Sequence, residues 1–227
     1  MAVLLFLLLM NDHPLQGAKE ARIHAFDAAA MRQIYGVDPV FVFHPTDASN
    51  RPVPGVHVNA DVFWKIYPQQ VRDVFTRVFV DGIQDQGRRP AFGEWQAAMA
   101  AAADAIVVCG CGKQNFAGQG SVRCWSCQRA VTLPPRLVVK GRTVMLNADT
   151  VLYDRHLTGA GVSGARRAEV TRHPTLNVLG LKNVSTGQWI IQVPGKAGQV
   201  VAPGNSVRLA AGTTIEFGNG TSGVIQE

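Results

Sequence analysis

The chain has 227 residues, 47% of them hydrophobic and 17% charged, with a formal net charge of +6. That is too much apolar material for a disordered chain, and length enough for roughly one to two domains. The charge is uneven: residues 1–132 carry 12 Lys and Arg against 11 Asp and Glu, while residues 133–227 carry 10 against 5. Such a basic excess either attracts phosphate groups, on nucleic acid or on a phosphorylated protein, or forms an ordinary solvated surface.

Met1–Met10 is an unbroken apolar run. A bilayer takes about 20 helical residues to cross. A secretory leader needs Lys or Arg before its apolar run and a small-x-small cleavage site after it, and Gln16-Gly17-Ala18 does not supply one. The run therefore predicts a helix in the middle of a domain core, apolar on every face, and no membrane span. A long Pro-containing connection, Val40–Pro54, follows. Val71, Val74, Phe75, Val78 and Phe79 then fall at helical spacing and make one apolar stripe. Gly82 is placed to cap that helix, and Pro90 to begin another that carries Trp95, Ala98 and Met99.

All four cysteines lie in one short window, as Cys109-Gly110-Cys111 and Cys124-Trp125-Ser126-Cys127. This C-x-C-x12-C-x2-C pattern is the distribution of a metal cluster and not of a disulfide framework, and it predicts a reducing, cytoplasmic setting. Four thiolates on two chelating turns suit tetrahedral Zn(II), with Cys109, Cys111, Cys124 and Cys127 as ligands of a closed, structural site. The C-x2-C half has standard spacing. The C-x-C half is one residue short, so either its turn is strained or one of its cysteines is spare.

From Leu133 the period becomes strand-like. The segments are Arg136–Gly141, Thr143–Asn147, Thr150–Tyr153, Val178–Leu181, Gln188–Val193, Ser206–Leu209 and Thr214–Phe217, punctuated by Gly, Pro and Asn. This predicts an antiparallel sandwich or barrel. The fold class expected is α+β: a helical region at 1–106, a short four-cysteine zinc ribbon at 107–132 and a β-sandwich at 133–227.

Three stretches resemble known families. Ala2–Met10 with Asn11-Asp12-His13-Pro14-Leu15 is similar to the central helix of a protein-kinase C-lobe and its exit. Tyr67–Gly82 followed by Gly87–Trp95 is similar to the last two helices of that lobe with the Arg-Pro between them. Together these resemble the C-terminal portion of a bacterial Ser/Thr protein-kinase-like protein, in which the lobe leads into a Cys-containing segment and a β-domain. Leu181–Ser185 and Val201–Gly218 resemble the second half of a forkhead-associated domain.

The first resemblance implies that Arg89 occupies the place of the Arg that pairs with a Glu at the end of the kinase activation loop. Without that partner in the sequence, Arg89 is expected to be partly buried and unpaired. The forkhead resemblance implies phosphothreonine recognition through charge-assisted bonds, the Ser-x-x-His of that family being absent. The candidates for it are Arg155, Arg166, Arg167, Arg172 and Asn183, with Arg166, Arg167 and Arg172 in a segment that reads as a loop.

The sequence contains no Gly-rich phosphate loop, His-Arg-Asp or Asp-Phe-Gly, the groups that phosphoryl transfer uses. The function expected is thus a non-catalytic part of a kinase-like signalling protein that binds a protein partner, including a phosphorylated one or the remaining kinase portion. Two alternatives compete with it: a truncated form of an active kinase, and a nucleic-acid-binding zinc ribbon. The second is weakened because only Trp125 among the Tyr and Trp residues sits inside the metal window.

Overall fold

The opening apolar run forms helix α1 (Ala2–Met10), closed by Asn11 in the left-handed region at φ 51, whose amide bonds the Leu7 carbonyl. In this computed structural model, which describes residues 1–118, 122–159, 164–218 and 220–227, the chain divides into two compact units, Met1–Ala102 and Ala103–Glu227. The ribbon and the β-region expected as separate parts fall within the second unit. The fold is mixed helix and antiparallel sheet. Among the described residues no helix is long and apolar enough to cross a membrane.

The first unit is helical. It contains α2 (Ala28–Arg32), which passes into a π-helical turn at Gln33–Val37, then α3 (Val58–Ile66) and α4 (Gln69–Thr76). A second π-helical stretch, Arg77–Asp81, joins α4 to α5 (Gly82–Gln84), and α6 (Phe92–Asp104) follows. Phe6 of α1 is fully buried, with its ring against those of Phe41, Phe43, Trp64, Phe75 and Phe79 at centroid separations of 5.2–6.4 Å. The long connection is held by Asn50, itself buried, whose amide donates to the Leu15 and Val40 carbonyls.

Three local expectations change here. Within α1 only Phe6 and Met10 are buried; Met1, Leu4 and Leu8 are 68%, 61% and 70% exposed, so the described chain covers one face of the helix and not all of it. Gly82 is not a left-handed cap: its φ is −78 and the helix continues through it. A Cβ at Gly82 would stand 2.6 Å from Arg89 Cγ, so the glycine makes room for that side chain. Arg89 itself is exposed rather than partly buried, and its Nε donates to the Gly82 carbonyl at 2.7 Å.

The second unit opens with a two-stranded ribbon, β1 (Ile106–Val108) and β2 (Gln114–Phe116). Ten further strands build two antiparallel sheets. They are β3 (Arg136–Val139), β4 (Arg142–Met145), β5 (Val151–Tyr153), β6 (Arg166–Arg172), β7 (Leu179–Asn183), β8 (Trp189–Gln192), β9 (Gln199–Val201), β10 (Ser206–Arg208), β11 (Thr214–Glu216) and β12 (Ser222–Gln226). One sheet has the order β10-β7-β6-β5 and the other β4-β3-β12-β11-β8-β9. A short helix, α7 (Asp154–Thr158), follows β5.

Alternation explains the packing: Leu137 and Val139, Trp189 and Ile191, Ala168 and Val170 each point inward from i and i+2 positions into one shared core. Trp189 is 1% exposed and meets Phe217 edge to face at 5.2 Å. The segment Arg166–Arg172, expected as a loop, is strand β6 and pairs with both β5 and β7. Its polar outer residues conceal an inner row of only Ala168 and Val170. Strands β9 and β12 are likewise absent from the sequence pattern.

Candidate metal centre

Each cysteine pair sits on a tight hairpin. In the first, between β1 and β2, the Cys109 amide bonds the Lys113 carbonyl at 2.9 Å and the Gly112 amide bonds the Cys109 carbonyl at 2.8 Å. Gly112 has φ 83, which a residue with a side chain adopts only at a cost, so the C-x-C-Gly sequence suits this turn. In the second, the Cys124 amide bonds the Arg129 carbonyl and the Gln128 amide bonds the Cys124 carbonyl, both at 2.9 Å, with Gln128 at φ 60. An isolated bridge, Arg123 to Ala130, and a bond from the Val131 amide to the Val122 carbonyl at 2.8 Å extend this hairpin.

The two hairpins bring all four sulfurs within 4.8 Å of one another. Cys109 Sγ lies 3.6 Å from Cys127 Sγ, and Cys111 Sγ lies 3.6 Å from Cys124 Sγ. Four thiolates at about 2.3 Å from a tetrahedral zinc would be separated by roughly 3.8 Å, so the cluster fits such an ion with small adjustment. The shortened C-x-C half places both of its sulfurs in the cluster, so the spacing does not leave one spare. Any of the borderline-soft ions that accept four thiolates fits the same set.

Residues outside the cysteine pattern complete the arrangement. Asn115 is 3% exposed: its Oδ1 accepts from the Trp125 amide at 3.0 Å, and its Nδ2 donates to the Lys113 carbonyl at 2.9 Å and lies 3.7 Å from Cys124 Sγ. One side chain thus ties both hairpins together. Trp125 Nε1 bonds the Gln114 carbonyl at 2.9 Å. Arg129 Nε donates to Cys127 Sγ at 3.5 Å, which draws that thiol down to about 6. A backbone hydrogen bond by Cys111 draws the Cys109 thiol down, but burial and the surrounding thiols outweigh it and push Cys109 up to about 11. The ribbon also has an apolar floor: Val107, Cys109, Cys124, Val131 and Met145 form one buried cluster.

A second polar cluster stands where the ribbon meets the sandwich. Asp104 accepts from Arg155 through both oxygens, at 2.8 and 3.1 Å, and its Oδ1 lies 3.0 Å from His156 Nε2. The Tyr153 amide donates to His156 Nδ1 at 2.7 Å, so the ring hydrogen sits on Nε2, facing Asp104. Asn147 Nδ2 adds a bond to the Ile106 carbonyl at 2.8 Å. These groups line a cleft of about 260 Å³ with Gln114, Asp149 and Thr150. Both ring nitrogens of His156 are already bonded, so the ring offers no free base and the cluster acts as a joint.

Each of the proposed phosphate-binding residues is already engaged within the chain. Arg155 is held by Asp104, Arg166 pairs with Glu169 at 2.9 Å, and Arg167 pairs with Asp154. Arg172 donates to Asn177 Oδ1 at 2.8 Å, at the far end of β6, roughly 17 Å from Arg167 at about 3.4 Å per residue. Asn183 is buried, its amide spent on the Gly187 and Val201 carbonyls, and its Oδ1 accepts from Ser185. It shapes the turn after β7.

Compared with known proteins, the chain matches no family model and no curated protein.

Proposed function

We propose that this chain is a metal-stapled binding part of a bacterial Ser/Thr protein-kinase-like signalling protein, acting by protein docking and not by chemistry of its own. The observation that carries the reading is the cluster of Cys109, Cys111, Cys124 and Cys127, four sulfurs within 4.8 Å on two hairpins. Four protein ligands fill a tetrahedral zinc, leave no position for a catalytic water, and make the ion structural. Zn(II) is the ion proposed, because a closed tetrahedral set of four thiolates is a standard structural zinc site.

The kinase-like part of the reading rests on the resemblance of residues 1–106. It is supported by Phe6 of the apolar α1, which stands at the centre of an aromatic cluster, and by the order of α4, Arg89-Pro90 and α6 after it. Protein docking is favoured over phosphothreonine reading because Arg155, Arg166 and Arg167 are each neutralised by a carboxylate of the same chain. A phosphate would have to displace those partners.

Elemental analysis of the purified full chain is expected to find about one zinc per molecule, with no zinc retained once Cys124 and Cys127 are both replaced by Ser. Absence of stoichiometric metal from protein prepared under reducing, zinc-replete conditions would remove the centre of this proposal.

A further inference from the structure

The four thiols are not equally accessible. Cys124 is 0% and Cys109 4% exposed, whereas Cys111 is exposed and Cys127 half-buried. Each 3.6 Å sulfur pair joins one accessible thiol to one buried thiol: Cys111 with Cys124, and Cys127 with Cys109. Each pair also joins one hairpin to the other. A disulfide formed within either pair would therefore connect the same two hairpins that the metal connects.

We propose that Cys111 is an oxidation site for a hydroperoxide, and that oxidation exchanges the metal staple for a disulfide staple without releasing the hairpins from each other. This rests on the metal-centre reading above. The peroxide oxygen is attacked by the Cys111 thiolate; the O–O bond breaks, hydroxide leaves, and Cys111 becomes a sulfenic acid. The Cys124 thiolate then attacks that sulfur, the S–S bond forms, and a second hydroxide leaves. The two hydroxides take up two protons, so two thiols and one hydrogen peroxide give one disulfide and two waters. Losing two of four donors frees the ion to water. A second equivalent joins Cys127 to Cys109 in the same way. Thiol reductants reverse both steps.

The neighbouring positions make the outcome readable. Trypsin cleaves after Lys113 and Arg123, which places Cys109 and Cys111 on one peptide and Cys124 and Cys127 on another. The full chain, zinc-loaded and separately zinc-free, is treated with stoichiometric hydrogen peroxide, and released zinc is followed with a chromogenic chelator. Non-reducing peptide mapping, with fragmentation of the linked peptides, then assigns each disulfide to its individual cysteines. The expected result is zinc release together with a linked pair of peptides, Cys111–Cys124 first, and recovery of zinc binding after reduction. In the zinc-free chain, where no ligand is lost, Cys111→Ser is expected to slow formation of the first peptide cross-link about tenfold, since the accessible thiol is the one that meets peroxide.

A disulfide confined to Cys124–Cys127, or sulfinic acid without any disulfide, overturns the inference even if zinc binds as proposed. A Cys111–Cys124 cross-link in a chain that never binds zinc would instead leave the oxidation of Cys111 standing and defeat both the metal-centre reading and the exchange built on it.

Discussion

At the scale of single residues, Asp104 is the side chain with most depending on it. It is 9% exposed and answers an almost equally buried Arg155 and the buried His156. Burial pushes its carboxyl up, but the hydrogen bonds from His156 and Arg155 outweigh that and hold it below the ordinary carboxylate value. Asp104→Ala would strand a buried guanidinium, and urea denaturation of the full chain is expected to show a loss of about 3–5 kcal/mol in the transition of Ala103–Glu227. The pH dependence has a definite sign. A carboxyl depressed in the folded state stabilises above its unfolded pKa, near 4, and that contribution fades as pH falls through the folded value. The wild-type advantage over Asp104→Ala should accordingly be full at neutral pH and shrink in acid. None of this was legible from the sequence, where Asp104 ends a run of alanines and its partners come about fifty residues later. Asn115 was equally silent, since an Asn between Gln114 and Phe116 carries no signal for bridging two cysteine hairpins. The cysteines themselves were plain, because ligand chemistry concentrates in residue type and spacing.

At the scale of elements, the sequence pattern revealed strands where one face is apolar enough to alternate, as in Arg136–Val139 and Trp189–Gln192. It failed for β6, whose Arg-Arg-Ala-Glu-Val-Thr-Arg places charges on the outer face and flanks. Salt bridges among Arg166, Arg167, Glu169, Asp154 and Lys182 organise that charged face, and such pairings have no period to read. The hairpin joining β3 to β4 shows the same division between chemistry and pattern. Its two turn residues, Lys140 and Gly141, both have positive φ, at 48 and 74, the requirement of a type I′ turn. Glycine meets it freely, while lysine does so at a cost that asparagine largely avoids. Lys140→Asn is expected to raise stability by about 0.5–1 kcal/mol, measured as a shift in the thermal midpoint, with strand pairing unchanged.

At the scale of the whole molecule, the ribbon is continuous with the sandwich. Met145 of β4 belongs to the buried cluster beneath Cys109 and Cys124, Asn147 bonds the Ile106 carbonyl, and Asp104 grips α7. A structural ion held by a free-standing finger stabilises only the finger, whereas an ion bound at this position stabilises everything that shares its floor. Once the cluster has been loaded with a metal ion, stripping it with a chelator is thus expected to lower the unfolding temperature of Ala103–Glu227 and to speed amide exchange in β1, β2 and α7 together. Faster exchange limited to residues 109–131 would contradict that continuity. The α+β class was readable in advance, because it follows from changes of period along the chain. That the ribbon and the sandwich form one unit depends on side chains meeting across it, which period does not encode.

The place of β12 in its sheet has a consequence for how the protein is made. β12 lies between β11 and β3, and Leu137 pairs with Ile225. At synthesis rates of about 5–20 residues per second, about 90 residues of delay leave β3 without that neighbour for ~5–20 s. The cysteine hairpins, by contrast, are complete once Val131 has emerged. A metal ion offered at that stage would meet four finished thiols, and on binding would give the nascent chain a foothold beside a sheet whose middle strand is still to come. During that interval the edge of β3 that β12 later covers is open to wrong pairing with other chains, and is a surface for a chaperone to shield.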